Sequence, residues 1–140
     1  MLDLEALVDW AAGEVGVGFI ALNPLHALAN RAPYNTSPYL PACTYYRNFI
    51  YLDVERIEDF ARSTWAKRLL AGSRVQCEIR TLRESELVEY ERVDHLKRAF
   101  LKLAFRAFER ELKQRTERAR EFLDYVEREG ELLDRYAVYS

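Results

Sequence analysis

Three short stretches of this 140-residue chain hold side chains whose types could do chemistry. Asn23-Pro24-Leu25-His26 brings an amide and an imidazole close together in sequence. His26 could act as a general acid or base, hold a ligand hydroxyl, or brace its own loop through a hydrogen bond. No carboxylate or nucleophile accompanies it locally, so the brace is the stronger reading. Ser37-Pro38-Tyr39 follows. There Pro38 presets the backbone, and the phenol of Tyr39 is presented at little entropic cost as a combined donor and acceptor. The third stretch holds Asp53 with Glu55, Glu58 and Asp59. Paired-carboxylate catalysis needs two carboxyl groups facing each other across a substrate, whereas Asp53 falls in an extended segment and the others on a helix face. Glu91, Asp94 and His95 sit at helical spacing and could be imagined as metal ligands, but solvated surface charge is the ordinary explanation. The sequence therefore offers binding residues, and neither a catalytic set nor a metal site.

These residues must be positioned by the elements around them. Val17 to Leu22 is a short, unbroken apolar run closed by Asn23-Pro24, which predicts a strand buried on both faces, as in a parallel sheet. All four prolines (Pro24, Pro33, Pro38, Pro41) lie in the segment that follows, so residues 23–46 read as a stiff loop that is neither helix nor central strand. Loops longer than about 15 residues are usually functional or disordered. Leu25, Leu28, Leu40, Tyr34, Tyr39, Tyr45 and Tyr46 argue against disorder here. Asn48 to Val54 reads as a short strand or extended arm. Ahead of the apolar run, Leu2 to Glu14 predicts an amphipathic helix, with Leu4, Leu7, Val8 and Ala11 on one face and Gly13 and Gly16 at its exit.

From Glu55 onward the pattern is helical. Ile57, Phe60, Ala61 and Trp65 recur at helical spacing, with a stop near Ala71-Gly72, and a further short helix is expected over 73–83. The longest helix carries a stripe at Val93, Leu96, Phe100, Leu103, Ala107 and Leu112, widened by Ala104 and Phe108. A last helical stretch from about Thr116 to Tyr139 has Gly130 inside it, a residue that bends or breaks helices. The expected organisation is a front segment, 1–54, and a helical subdomain, 55–140.

Composition removes several classes. The 21 basic and 23 acidic residues give a net charge of −2, which is no electrostatic footprint for nucleic acid. No apolar run approaches the roughly 20 residues of a membrane span. Cys43 and Cys77 lack metal-ligand spacing and read as reduced thiols of a cytoplasmic protein.

Asn23-Pro24-Leu25-His26-Ala27-Leu28, then Ser37-Pro38-Tyr39, then Asn48-Phe49-Ile50-Tyr51-Leu52-Asp53-Val54, in that order, resembles the amylomaltases. These are the 4-α-glucanotransferases of glycoside hydrolase family 77. Trp65-Ala66, Val88-Glu89-Tyr90 and Arg128 to Leu133 extend the similarity more weakly. The resemblance implies an α/β fold, a piece of a (β/α)₈ TIM barrel comprising helix, buried strand and substrate loop, followed by a mostly helical insertion. A closed barrel needs about 250 residues, so the chain is expected to be a fragment, with the remainder of its own barrel as partner. The implied activity is transfer of α-1,4-glucan segments between maltodextrins by a retaining mechanism, without a cofactor. The carboxylates that carry it in the family match nothing in this chain, so the isolated chain is expected to be inactive. Tyr39 matches the family's sugar-contacting tyrosine, and its ring can pack on the C–H face of a pyranose. Ser37, Pro38, His26 and Asn23 are the accompanying substrate-binding candidates. Tyr34 matches a second glucan-site tyrosine of some members, although Asn35-Thr36 follows it where those members have glycine. The alternative is a non-catalytic helical module that binds glucan or a protein partner, with the Val93 to Leu112 stripe as the docking face.

Overall fold

Helix α1 (Leu2–Trp10) widens at its end into a π-helical turn, Ala11–Val15, in a computed structural model that describes residues 2–31 and 36–139. Gly16 closes it at φ 73°, a left-handed conformation open to a residue without Cβ. The N–H groups of Gly16 and Val17 both donate to the Ala11 carbonyl, the latter at 3.1 Å. Ala11 is the buried residue of this stretch, while Leu7 and Val8, expected on an inner face, are exposed. The chain divides into two compact units, Met1–Asp53 and Val54–Ser140.

In the first unit the expected strand is not present. Val17 to Leu22 runs without strand pairing, and Phe19 is 85% exposed. A strand of a parallel sheet needs a neighbouring strand to pair its backbone, and no described strand pairs with this run. The sheet forms instead inside the predicted loop. Strand β1 (His26–Ala27) pairs antiparallel with β2 (Cys43–Arg47), with His26 opposite Arg47, Ala27 opposite Cys43, and a slip in register between the pairs. The β-favouring Thr44, Tyr45 and Tyr46 are the strand signal, obscured in sequence by the prolines before them. Asn48 to Val54 is correspondingly not a strand. It holds a 3₁₀ turn at Phe49–Tyr51, and a second begins at Val54. Among the described residues the architecture is thus mostly helical with one small antiparallel sheet, and no parallel strand is seen.

The loop is tied shut by two buried amides. Asn30 Nδ2 donates to Asn48 Oδ1 at 3.1 Å, and Asn48 Nδ2 donates to Asn30 Oδ1 at 2.6 Å. Asn48 Oδ1 also accepts from the Ile50 N–H at 3.2 Å, capping the 3₁₀ turn. Asn30 is fully buried at φ 54°, a conformation that asparagine tolerates better than most residues.

The second unit consists of α2 (Glu58–Arg62), α3 (Thr64–Ala71), α4 (Ser73–Glu84), α5 (Tyr90–Gln114) and α6 (Glu117–Tyr139). Its core is Phe60, Ala66 and Phe100, packed by Ile57, Leu69, Leu70, Val75, Leu96 and Leu103. The Phe60 and Phe100 rings lie 6.1 Å apart. Buried Ser63 joins three elements: its hydroxyl accepts from the Ala66 N–H, capping α3, and donates to the Leu103 carbonyl of α5. On α5 the buried row is Phe100, Ala104 and Phe108, so the inner face includes two residues expected only to widen it. Trp65, expected on the inner face of its helix, is 68% exposed, with Arg68 over its ring.

A second contact set fastens α6. Arg118 grips Asp59 through both terminal guanidinium nitrogens, lies 4.7 Å from the Phe108 ring centroid, and reaches Glu111 at 3.0 Å. The Asp59 carboxylate holds the Arg118 pKa well above its ordinary value. Phe122 meets Phe108 edge-on at 5.3 Å. Within α6, Gly130 departs from helical geometry at φ 54° and ψ −135°, so the helix is broken there. Asp94 pairs with Arg98 at 2.7 Å within α5.

Three stability measurements follow from these contacts. Phe100→Ala is expected to lower unfolding free energy by about 3 kcal/mol in urea titration, because it opens a cavity at the centre of the helical core. Asn48→Ala removes two bonds from Asn30 and the cap on Ile50, with an expected loss of about 2 kcal/mol. Arg92 bonds Glu78 at 2.8 Å between α4 and α5 and lowers the glutamate's pKa from its ordinary 4.5. A depressed carboxylate stabilises above its unfolded pKa, and that contribution is lost as pH falls through the folded value. The gap in melting temperature between the parent chain and Glu78→Gln should be constant above pH 5.5 and shrink toward acid. A constant gap down to pH 3 would contradict this.

Candidate functional site

The Ser37-Pro38-Tyr39-Leu40 segment is a turn closed by the Leu40 N–H on the Ser37 carbonyl at 3.1 Å. Proline in the second position of such a turn supplies its required φ. The Ser37 hydroxyl accepts from the Tyr39 N–H at 3.3 Å, fixing the backbone directly beneath the ring. Tyr39 itself is 68% exposed. Its hydroxyl donates to Asn23 Oδ1 at 2.8 Å, across 16 positions of sequence. The structure thus brings together Asn23, Ser37, Pro38 and Tyr39 from the candidate set. The turn presents an open aromatic face with its polar edge already oriented.

His26 lies apart from this group in its bonding. It is half-buried in β1, and no described residue hydrogen-bonds its ring. The bracing at this position is made by backbone: Ala42 N–H to Ala27 carbonyl and Asn48 N–H to Leu25 carbonyl, each at 2.9 Å. Tyr34 lies outside the described residues. The buried amide pair that closes the loop, Asn30 with Asn48, was not singled out as a site from sequence. Its signal was an asparagine on each side of a long proline-bearing loop, where amides commonly replace missing backbone partners.

An aromatic ring exposed beside a hydroxyl and an amide suits a ligand with an apolar face and a polar rim. A pyranose has both: its axial C–H bonds pack on the ring while its hydroxyls seek donors and acceptors. Among the described residues no group of three or more His, Cys, Asp or Glu is arranged to hold a metal ion. No described helix is long and apolar enough to cross a membrane. Cys43 on β2 and Cys77 on α4 are both free thiols.

Comparison with known proteins bears on the same chemistry. The family model described as 4-alpha-glucanotransferase matches residues 1–140. A 4-alpha-glucanotransferase of Haemophilus influenzae is 30% identical over 132 residues, covering 94% of this chain. One of Mycobacterium tuberculosis is 31% identical over 150 residues, covering 99% of it. The chain spans 19% of the length of each of these relatives. With the match running from end to end, the chain belongs to the 4-alpha-glucanotransferase family, glycoside hydrolase family 77.

Proposed function

We propose that this chain serves a 4-α-glucanotransferase that moves α-1,4-glucan segments between maltodextrins, and that its own part is to seat a glucose unit on Tyr39. The observation that carries the reading is the exposed Tyr39 ring, held by the Ser37-Pro38 turn and by Asn23, in a chain that matches the family throughout. The retaining reaction needs a nucleophile and an acid/base about 5–5.5 Å apart across the sugar. This chain's contribution is binding and orientation, with the remainder of the barrel supplying the carboxylates. Ser37 and Pro38 act by holding the turn, Asn23 by its bond to the phenol, and His26 from its place at the start of the small sheet. Tyr34 would extend glucan contact along the same loop. The reaction requires no cofactor, and the two free thiols favour the cytoplasm as its compartment.

Two measurements test this. In an NMR titration with maltotriose, Tyr39→Ala should weaken binding at least tenfold, with the helical amide signals undisturbed. Equal affinity in the variant would remove Tyr39 from the site. Incubation of the purified chain with maltotriose should release no glucose, and measurable release would place catalytic carboxylates within the chain itself.

A further inference from the structure

The Tyr39 hydroxyl has one proton and spends it on Asn23. With Oη donating to Asn23 Oδ1 at 2.8 Å, what the phenol has left for a ligand is acceptor capacity alone. The other half of the Asn23 amide, Nδ2, bonds no described residue and carries two donors. Both residues are exposed at this edge. The edge of the ring is thereby polarised: an acceptor on the phenol and a donor on the amide sit beside each other.

We propose that Asn23 is a positioning residue that commits the Tyr39 hydroxyl to accepting, so that the loop selects a ligand presenting adjacent hydroxyls, one to donate to Oη and one to accept from Nδ2. Two neighbouring equatorial hydroxyls of a glucopyranose meet that requirement, and a deoxy sugar lacking one of them does not. Without Asn23 the phenol proton would turn freely toward solvent. The ligand would then have to immobilise it on binding, an ordering cost that prior orientation avoids. This inference rests on the glucan reading of Tyr39 and adds to it the role of the residue behind the ring.

A double-mutant cycle on maltotriose affinity, measured by NMR titration of the 140-residue chain, tests it. Asn23→Leu and Tyr39→Phe should each weaken binding by about five- to tenfold. The double variant should lose less than the product of the two single losses, because both changes act on the same oriented hydroxyl. Asn23→Asp keeps an acceptor for the phenol proton and should recover part of the loss, which a general disturbance of the loop would not allow. Additive losses, or an unchanged affinity in Asn23→Leu, would overturn the inference while a weakened Tyr39→Ala leaves the glucan reading standing. If Tyr39→Ala binds as the parent does, or the parent does not bind maltotriose, both fall together.

Discussion

A pair of buried amides ties residue 30 to residue 48 and closes the segment between them. Asn30 and Asn48 are separated by 18 positions, and ordering the chain between them carries a loop-closure penalty that two short side-chain bonds and a few ladder bonds must offset. Burial strengthens these bonds, since neither amide has water as an easy alternative. One oxygen, Asn48 Oδ1, serves both the loop and the turn that follows it. Closing the loop and capping the 3₁₀ turn therefore share one acceptor atom. The Tyr39 turn lies inside this closed segment, so its position depends on an interaction that involves none of the ligand-facing atoms.

The helical unit solves a different problem. Its inner face is a row of aromatics and alanines, and the small Ala66 and Ala104 let neighbouring helices approach while Phe60, Phe100 and Phe108 fill the space between. Asp59 would be an expensive residue to bury alone. The two-nitrogen grip of Arg118, itself lying on Phe108, converts it into a tie between the first and last helices of the unit. The hydroxyl of Ser63 performs a related task on a smaller scale, capping one helix and bonding a second.

Much of this was legible in the sequence, for identifiable reasons. The helices of residues 58–139 follow from periodicity, and the stops at Gly72 and Gly130 follow from residues whose backbone preferences are strong. The Ser37-Pro38-Tyr39 turn was readable because its chemistry is local. The strand assignments failed because pairing is not local. Val17 to Leu22 has the composition of a buried strand but no described partner, whereas Cys43 to Arg47 found one in His26 and Ala27 despite the prolines before it. Trp65 was misplaced because a large apolar residue at helical spacing can as well lie on the outer face, with an arginine beside its ring. The Asn30–Asn48 bond and the Asn23–Tyr39 bond span long stretches of chain, and only the folded loop brings their partners within reach.

Gly130 sets how far the last helix can reach. An unbroken helix over Glu117–Tyr139 would be a rod roughly 35 Å long. The break at φ 54° turns that rod into two short pieces aimed differently. A Cβ added at Gly130 would meet no atom within 4 Å, so what a side chain there would oppose is the backbone conformation itself. The direction of the terminal segment is written in the backbone freedom of a single residue, and one methyl group there would suffice to re-aim it.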